Sequence, residues 1–235
     1  MPLKKSTGNM YSFVTHTWNP VRGKCGYCCS YCYVNKWGRN TNPLRLIESE
    51  LNTDLGKNNY IFVCSGCDLF HNEVKMDWIE DVITASEVNG KNNSYLWHTK
   101  NPERALEFQV RFGDRDMLCV TIETNRFFDE FEISKAPNPV KRFNALYRWK
   151  KPWMLTIEPV IDFDNEDFVS LIKATGNMPV QVNIGADSCG SGLPEPSMEK
   201  LEALIEALAP HTKIHLKKNL RRLLPEHELY GRNNA

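Results

Sequence analysis

Seven short runs of β-branched and aromatic residues, separated by stretches with helical periodicity, constrain this 235-residue chain more than any other feature. They fall at 11–18, 60–64, 95–99, 117–121, 153–157, 180–184 and 213–216. Between them, 77–88 sets Trp78, Ile79, Val82 and Ile83 among acidic residues, and Pro102 opens 103–112 from a first-turn position. Val140, Phe143, Leu146 and Tyr147 recur at helical spacing in 139–149, as do Met198, Leu201, Leu204, Ile205 and Leu208 in 197–208. Strand and amphipathic helix in alternation bury each other's apolar faces when the strands run parallel beneath a layer of helices. Six or seven such units fall short of the eight that close a barrel. The spacing therefore predicts an α/β fold, a partial (β/α)6-7 barrel with parallel strands. It is expected as one domain over 1–235, with 1–10 and 224–235 as tails. Ligands of such folds collect at the C-terminal ends of the strands.

The chemistry expected there begins just after the first strand, in Cys25-Gly26-Tyr27-Cys28-Cys29-Ser30-Tyr31-Cys32. Cys25, Cys29 and Cys32 stand at a C-x3-C-x2-C spacing, so three thiolates on one loop can hold three irons of a four-iron four-sulfur cluster. The fourth iron stays open to the amino and carboxylate groups of S-adenosylmethionine. Electron transfer from the reduced cluster then breaks a sulfur–carbon bond to give a 5′-deoxyadenosyl radical. Zinc is a rival, because Cys25/Cys28 and Cys29/Cys32 are two C-x2-C pairs, although structural zinc sites separate their pairs by a dozen or more residues. Disulfides are a second rival, made awkward by the adjacency of Cys28 and Cys29. Cys28 reads as a bystander, since a fourth protein ligand would block the cofactor.

Apolar residues at 41% and charged residues at 25% are those of a globular chain, and no apolar run reaches membrane-spanning length. The charged start, Met-Pro-Leu-Lys-Lys-Ser, leads into no apolar stretch, so a cytoplasmic, reducing address is expected. Lys plus Arg equals Asp plus Glu at 29 each, which gives no global reason to expect nucleic acid. The basic stretch 213–222, with Lys217, Lys218, Arg221 and Arg222, reads first as a solvated helix start and second as a phosphate contact.

The other strand ends are rich in polar groups. Cys64-Ser65-Gly66-Cys67-Asp68-Leu69-Phe70-His71 follows the second strand, and His98-Thr99-Lys100-Asn101-Pro102 ends the third. Glu123, Glu158 and Asn183 with Asp187 follow at the fourth, fifth and sixth. Carboxylates directly after apolar runs are costly to bury unpaired. Glu123 and Glu158 are therefore expected to face a ligand, the alternative being structural pairing under the loops. Cys64 and Cys67 could serve a second metal if Cys119 and Cys189 joined them, but Cys119 lies within an apolar strand and reads as a small buried hydrophobe.

Trp18-Asn19-Pro20, Asp68-Leu69-Phe70-His71 and Thr99-Lys100-Asn101-Pro102-Glu103-Arg104, with Val120-Thr121-Ile122-Glu123 and Ile157-Glu158-Pro159, resemble the phage-type radical S-adenosylmethionine proteins of unknown function. The resemblance runs from about Tyr11 to Leu220. It departs at Gly185-Ala186-Asp187, where Gly-Gly-Glu is expected, and at the additional Cys28. It implies a radical S-adenosylmethionine-type core with the cluster on Cys25, Cys29 and Cys32. Tyr31 would lie near the adenine, Ser65 to Asp68 would receive the methionine amino group, and Thr121 with Glu123 would lie near the ribose or carboxylate. Thr99 and Lys100 complete the cofactor contacts. A flavodoxin- or ferredoxin-type electron donor follows, as does a small molecule entering the barrel mouth.

Compact proteins of this kind include one that cleaves the 7-deazaguanine base queuine to the aminomethyl base preQ1, and that reaction is the expectation here. Glu158 or Asp187 would accept from the guanine-like edge, Asn183 would supply a donor and an acceptor, and Trp18 or Phe70 would stack, with Asn19 beside them. The alternatives are a radical enzyme acting on a nucleobase in DNA or a phage-related metabolite, and a non-catalytic metal-stabilised binding or redox-sensing module.

Overall fold

The computed structural model describes residues 3–7, 10–36, 38, 42–127 and 133–232. Its strands are β1 (Lys4–Lys5), β2 (His16–Trp18), β3 (Val21–Arg22), β4 (Arg45–Leu46), β5 (Tyr60–Val63), β6 (Ser94–Thr99), β7 (Asp116–Thr121), β8 (Trp153–Ile157), β9 (Gln181–Ile184) and β10 (Lys213–Leu216). Eight of them form one sheet in the order β1-β2-β5-β6-β7-β8-β9-β10, and β3 pairs with β4 as a separate hairpin. Every neighbour from β2 to β10 is parallel, and β1 alone runs antiparallel at the edge. The order follows the chain and does not close, which is the expected partial barrel.

The helices are α1 (Tyr33–Lys36), α2 (Glu48–Leu51), α3 (Met76–Val88), α4 (Pro102–Leu106), α5 (Pro139–Arg148), α6 (Asn165–Ala174), α7 (Met198–Leu208) and α8 (Leu229–Arg232). At α5 the Asn138 side chain accepts from Lys141 N at 2.9 Å while Pro139 occupies the first turn, so the sequence fixes where this helix starts. That start places Arg142 against the sheet. Two expectations shift. The first strand does not begin at Tyr11, because Val14 N donates to Tyr11 O at 3.0 Å and the chain turns there. The helix over 103–112 ends at Leu106 and resumes as a 3-10 turn, Gln109–Arg111, which lets both Phe108 and Phe112 bury.

Period-two alternation along the strands sorts the side chains onto two faces. Ile61, Val63, Trp97, Leu118, Val120, Trp153, Leu155, Val182, Ile184 and Ile214 pack under the helices in the main core. Phe62, Leu96, Cys119 and Met154 face the other way and meet Tyr11 and Val14 in a second apolar cluster. This second cluster fills the lower part of the sheet's inner face.

Candidate active site at the strand ends

Two residues further along each strand, the inner face turns polar. His98, Thr121, Thr156 and Asn183 succeed Leu96, Cys119, Met154 and Gln181, and Lys100, Glu123, Glu158, Gly185 and Lys217 come next. The register joins Thr121 to Thr156, Thr156 to Asn183 and Asn183 to His215. The result is an apolar floor, a buried hydrogen-bonding layer and a charged rim.

The cysteine loop lies beside this rim. Cys28 N donates to Cys25 O at 3.4 Å and Cys32 N to Cys29 O at 3.1 Å, so two turns follow one another before α1. They bring Cys25, Cys29, Cys32, Tyr27 and Tyr31 against Ala136 in one small apolar cluster. Cys28 is exposed and takes a left-handed backbone, φ +48°. All eight cysteines are free. Among the described residues no three His, Cys, Asp or Glu side chains converge on a single-ion site. A cuboidal cluster needs a different arrangement, with each thiolate on its own iron. Burial, with Asp68 nearby, pushes the Cys25 thiol up to about 12. The three gathered thiols fit such a group. Gly26 has a steric role here, since a Cβ would lie 2.5 Å and 2.6 Å from His71 Cε1 and Nε2. Glu73 N donates to His71 Nδ1 at 3.0 Å and Tyr27 packs edge-on at 4.3 Å, so the ring that the loop rests on is held from two sides.

The second loop is held to its neighbours. Asn19 Oδ1 accepts from Ser65 Oγ at 3.1 Å and Gly66 N at 3.2 Å. The Asp68 carboxylate accepts from Phe70 N at 2.9 Å, Thr99 Oγ1 at 2.8 Å and Lys100 N at 2.7 Å, tying this loop to the end of β6. Burial raises the Asp68 pKa despite these bonds.

Glu123 brings together several residues of the predicted site. Its Oε1 accepts from Lys100 Nζ at 2.6 Å and from the Tyr31 hydroxyl, and its Oε2 accepts from Arg142 Nη1 at 2.7 Å. Lys100 also lies 5.1 Å over the Tyr31 ring. Burial opposes ionisation of Glu123, but Arg142 and then Lys100 outweigh it and hold the carboxyl well below the usual carboxylate range. Thr121 Oγ1 lies 2.7 Å from His98 Nε2 in the layer below, where burial and two lysines lower the His98 pKa to about 3.

On the β8–β10 side, Lys217 Nζ pairs with Glu158 Oε2 at 2.5 Å and sits 4.9 Å over the Tyr11 ring. Asn219 Nδ2 donates to Glu158 Oε1 at 2.9 Å. The expectation of a solvated helix start is corrected for Lys217, which is buried because positions 213, 215 and 217 continue the inward alternation of β10.

Three further expectations change. Trp18 is in the core and donates Nε1 to Glu50 O at 3.1 Å, and Phe70 packs between Phe108 and Phe112, so neither offers a ring face at the mouth. Asn183 lies in the layer beneath the rim, where its Oδ1 accepts from Gln181 Nε2 at 2.6 Å. Asp187 accepts from Cys189 N at 2.7 Å and Ser191 N at 2.5 Å, shaping its own loop. Cys119 lies among Tyr11 and Thr156 on the inner face, while Cys67 donates to Val21 O at 3.2 Å. Sequence reasoning missed Arg142, Lys217, Asn219 and Tyr11. Tyr11 Oη lies 2.7 Å from Thr156 Oγ1, a contact with no local sequence signal because 145 residues separate the two.

The fold has close counterparts among solved structures. A variant of spore photoproduct lyase superposes with a TM-score of 0.64 at 7% identity, covering 90% of this chain and 78% of that one. Another, with a dinucleoside spore photoproduct, gives 0.58 at 10% identity over 88% of this chain. This chain spans 64% of that structure's length. SuiB of Streptococcus suis bound to its precursor peptide SuiA gives 0.58 at 10% identity, over 86% of this chain and 48% of that one. A further spore photoproduct lyase variant in this set has AdoMet bound, and the likeness to all of them is one of fold, a mostly parallel open sheet with flanking helices. No curated protein matches the chain. A family model described as a protein of unknown function, DUF5131, matches residues 9–162, more than half of the chain, which therefore belongs to that family.

Proposed function

We propose that this protein is a radical S-adenosylmethionine enzyme whose Cys25, Cys29 and Cys32 hold a four-iron four-sulfur cluster over the mouth of the partial barrel. The observation that carries the reading is the gathering of these three thiols in one apolar cluster beside the parallel strand ends, with Cys28 exposed. When bound, such a cluster with S-adenosylmethionine on its open iron supplies a 5′-deoxyadenosyl radical. The chain's own residues then have distinct tasks. Tyr31, Lys100 and Glu123 form a rigid rim that positions the adenosyl half of the cofactor. The segment from Ser65 to Asp68, fixed by Asn19 and by Thr99, is the one that would receive its methionine half. Thr121 extends the same surface downward.

Glu158 would face the substrate across the mouth, and cleavage of queuine to preQ1 is the substrate-level reading that this carboxylate, with Asn219 beside it, supports. A flavodoxin- or ferredoxin-type protein would supply the electron. Eight free cysteines suit a reducing compartment such as the cytoplasm. Among the described residues no helix is long and apolar enough to cross a membrane.

The test is anaerobic reconstitution with iron and sulfide, followed by reductant, S-adenosylmethionine and queuine, with products read by mass spectrometry. Formation of 5′-deoxyadenosine in the wild type and its loss in Cys29→Ala is the expected result, with preQ1 appearing alongside. A colourless, iron-free protein after reconstitution would overturn the cofactor assignment, and deoxyadenosine without preQ1 would overturn the substrate.

A further inference from the structure

Asn219 carries a feature that its structural bonds do not use. Its Nδ2 donates to Glu158 Oε1 at 2.9 Å, Ala186 O at 2.6 Å and Ser188 Oγ at 2.8 Å, which fixes the amide orientation because a flipped group would oppose oxygen to oxygen. Its Oδ1 is buried with no hydrogen-bond partner. A buried acceptor without a donor is costly and is rare in native proteins. The adjacent strand end is also shaped around it. A Cβ on Gly185 would lie 2.7 Å from Glu158 Oε1 and 3.0 Å from Asn219 Oδ1, so both oxygens approach one point above a residue that has no side chain.

Lys217 settles the charge of this cluster. With Nζ at 2.5 Å from Glu158 Oε2, it neutralises the carboxylate, so the two acceptors belong to a site without net charge. A cationic ligand would meet the buried ammonium of Lys217, whereas a neutral group with adjacent N–H donors would meet two acceptor oxygens. Tyr11, whose ring lies 4.9 Å beneath Lys217, closes the site from below.

We propose that Glu158 and Asn219, held together over Gly185, are the specificity-determining pair that receives the substrate, and that the substrate presents a neutral edge of adjacent N–H donors, as the ring N–H and exocyclic amine of a 2-aminopyrimidinone do. This rests on the reading of the mouth as a small-molecule site and deepens it. Asn219 replaces Asn183 as the amide that meets the substrate, because Asn183 lies in the layer beneath.

The test compares binding of two probes to the reconstituted, S-adenosylmethionine-loaded enzyme by calorimetry. One is a 7-deazaguanine base and the other its analogue lacking the exocyclic amine. Wild type should bind the aminated base at least tenfold more tightly. Asn219→Leu and Gly185→Ala should each remove most of that difference while leaving iron content and S-adenosylmethionine affinity unchanged. Gly185→Ala keeps every donor and acceptor, so it separates loss of the approach from collapse of the loop. Equal affinity of the wild type for both probes, or a preference that survives both variants, would overturn the assignment. Loss of iron or of S-adenosylmethionine binding in the wild type would instead overturn the radical-enzyme reading.

Discussion

Arg142 enters from the first turn of α5 and places its Nη1 2.7 Å from Glu123 Oε2 and 2.6 Å from the Thr121 carbonyl, joining a helix to the polar end of β7. Both side chains of the pair are almost fully buried, at 3% and 6% exposure. Removing Arg142 leaves the buried Glu123 carboxylate with Lys100 as its remaining cation, at a cost of up to about 3–5 kcal/mol. Arg142→Met should therefore lower stability by that order in urea unfolding. The double variant Arg142→Met with Glu123→Gln should recover part of the loss, because the more deeply buried carboxylate is gone and the Lys100 ammonium left behind is the more exposed of the two. A double variant no more stable than Arg142→Met would show that the cation holds the loop by its carbonyl contacts alone.

The cysteine loop separates its thiols by environment, and this gives an expectation for each. Cys25→Ser and Cys32→Ser should bring reconstituted iron close to background, since two thiolates do not retain a cuboidal cluster. Cys28→Ser should load as much iron as the wild type, because Cys28 is exposed and lies outside the apolar cluster formed by the other three. Iron content and absorbance report both. Equal losses at Cys28 and Cys32 would point to a four-thiolate zinc-type site.

Burial holds His98 neutral, with its pKa near 3 against an ordinary 6.5. The unfolded chain binds a proton below about pH 6.5 that the folded chain refuses, so the contribution of His98 to stability is intact above that pH. It falls by about 1.4 kcal/mol per pH unit as the pH drops toward the folded value. His98→Gln can keep a hydrogen bond to Thr121 and removes the titration. The gap in unfolding free energy between variant and wild type should move in the variant's favour between pH 6.5 and pH 4.5. A gap that stays constant over this range would mean that His98 takes up its proton as readily in the fold as in the unfolded chain.

The frame of this molecule was readable because its signals are periodic. The runs at 60–64, 95–99, 117–121, 153–157 and 213–216 coincide with β5 to β8 and β10 to within a residue or two, and each strand end then delivers its polar residues to the same side. Glu123 and Lys100 meet for that reason. The same local signal misled at Trp18 and Phe70. An aromatic next to a functional loop is as often core as ligand, and only the pairing of Trp18 with Glu50 or of Phe70 with Phe108 and Phe112 decides it. Lys217 was hidden in a basic run, although its place on the inner face of β10 follows from alternation once Lys213–Leu216 is taken as a strand. Arg142 and Asn219 depended on contacts 19 and 61 residues away in sequence, which no local pattern encodes.

Gly26 and His71 offer the sharpest test of how the cysteine loop is seated. The loop backbone passes so close to the imidazole that a Cβ at Gly26 would fall 2.5 Å from Cε1, well inside van der Waals contact. The ring has little room to yield, being fixed by Glu73 N at Nδ1 and by the edge of Tyr27. Overpacking of this kind costs about 1–3 kcal/mol, and here the strain falls on the segment that spaces Cys25 from Cys29. Gly26→Ala should therefore lower iron loading severalfold with little change in far-ultraviolet circular dichroism. Replacing the obstructing ring as well, in Gly26→Ala with His71→Ala, should restore loading toward that of His71→Ala alone. If the double variant loads no better than Gly26→Ala, the glycine serves backbone freedom within the loop and not its approach to His71.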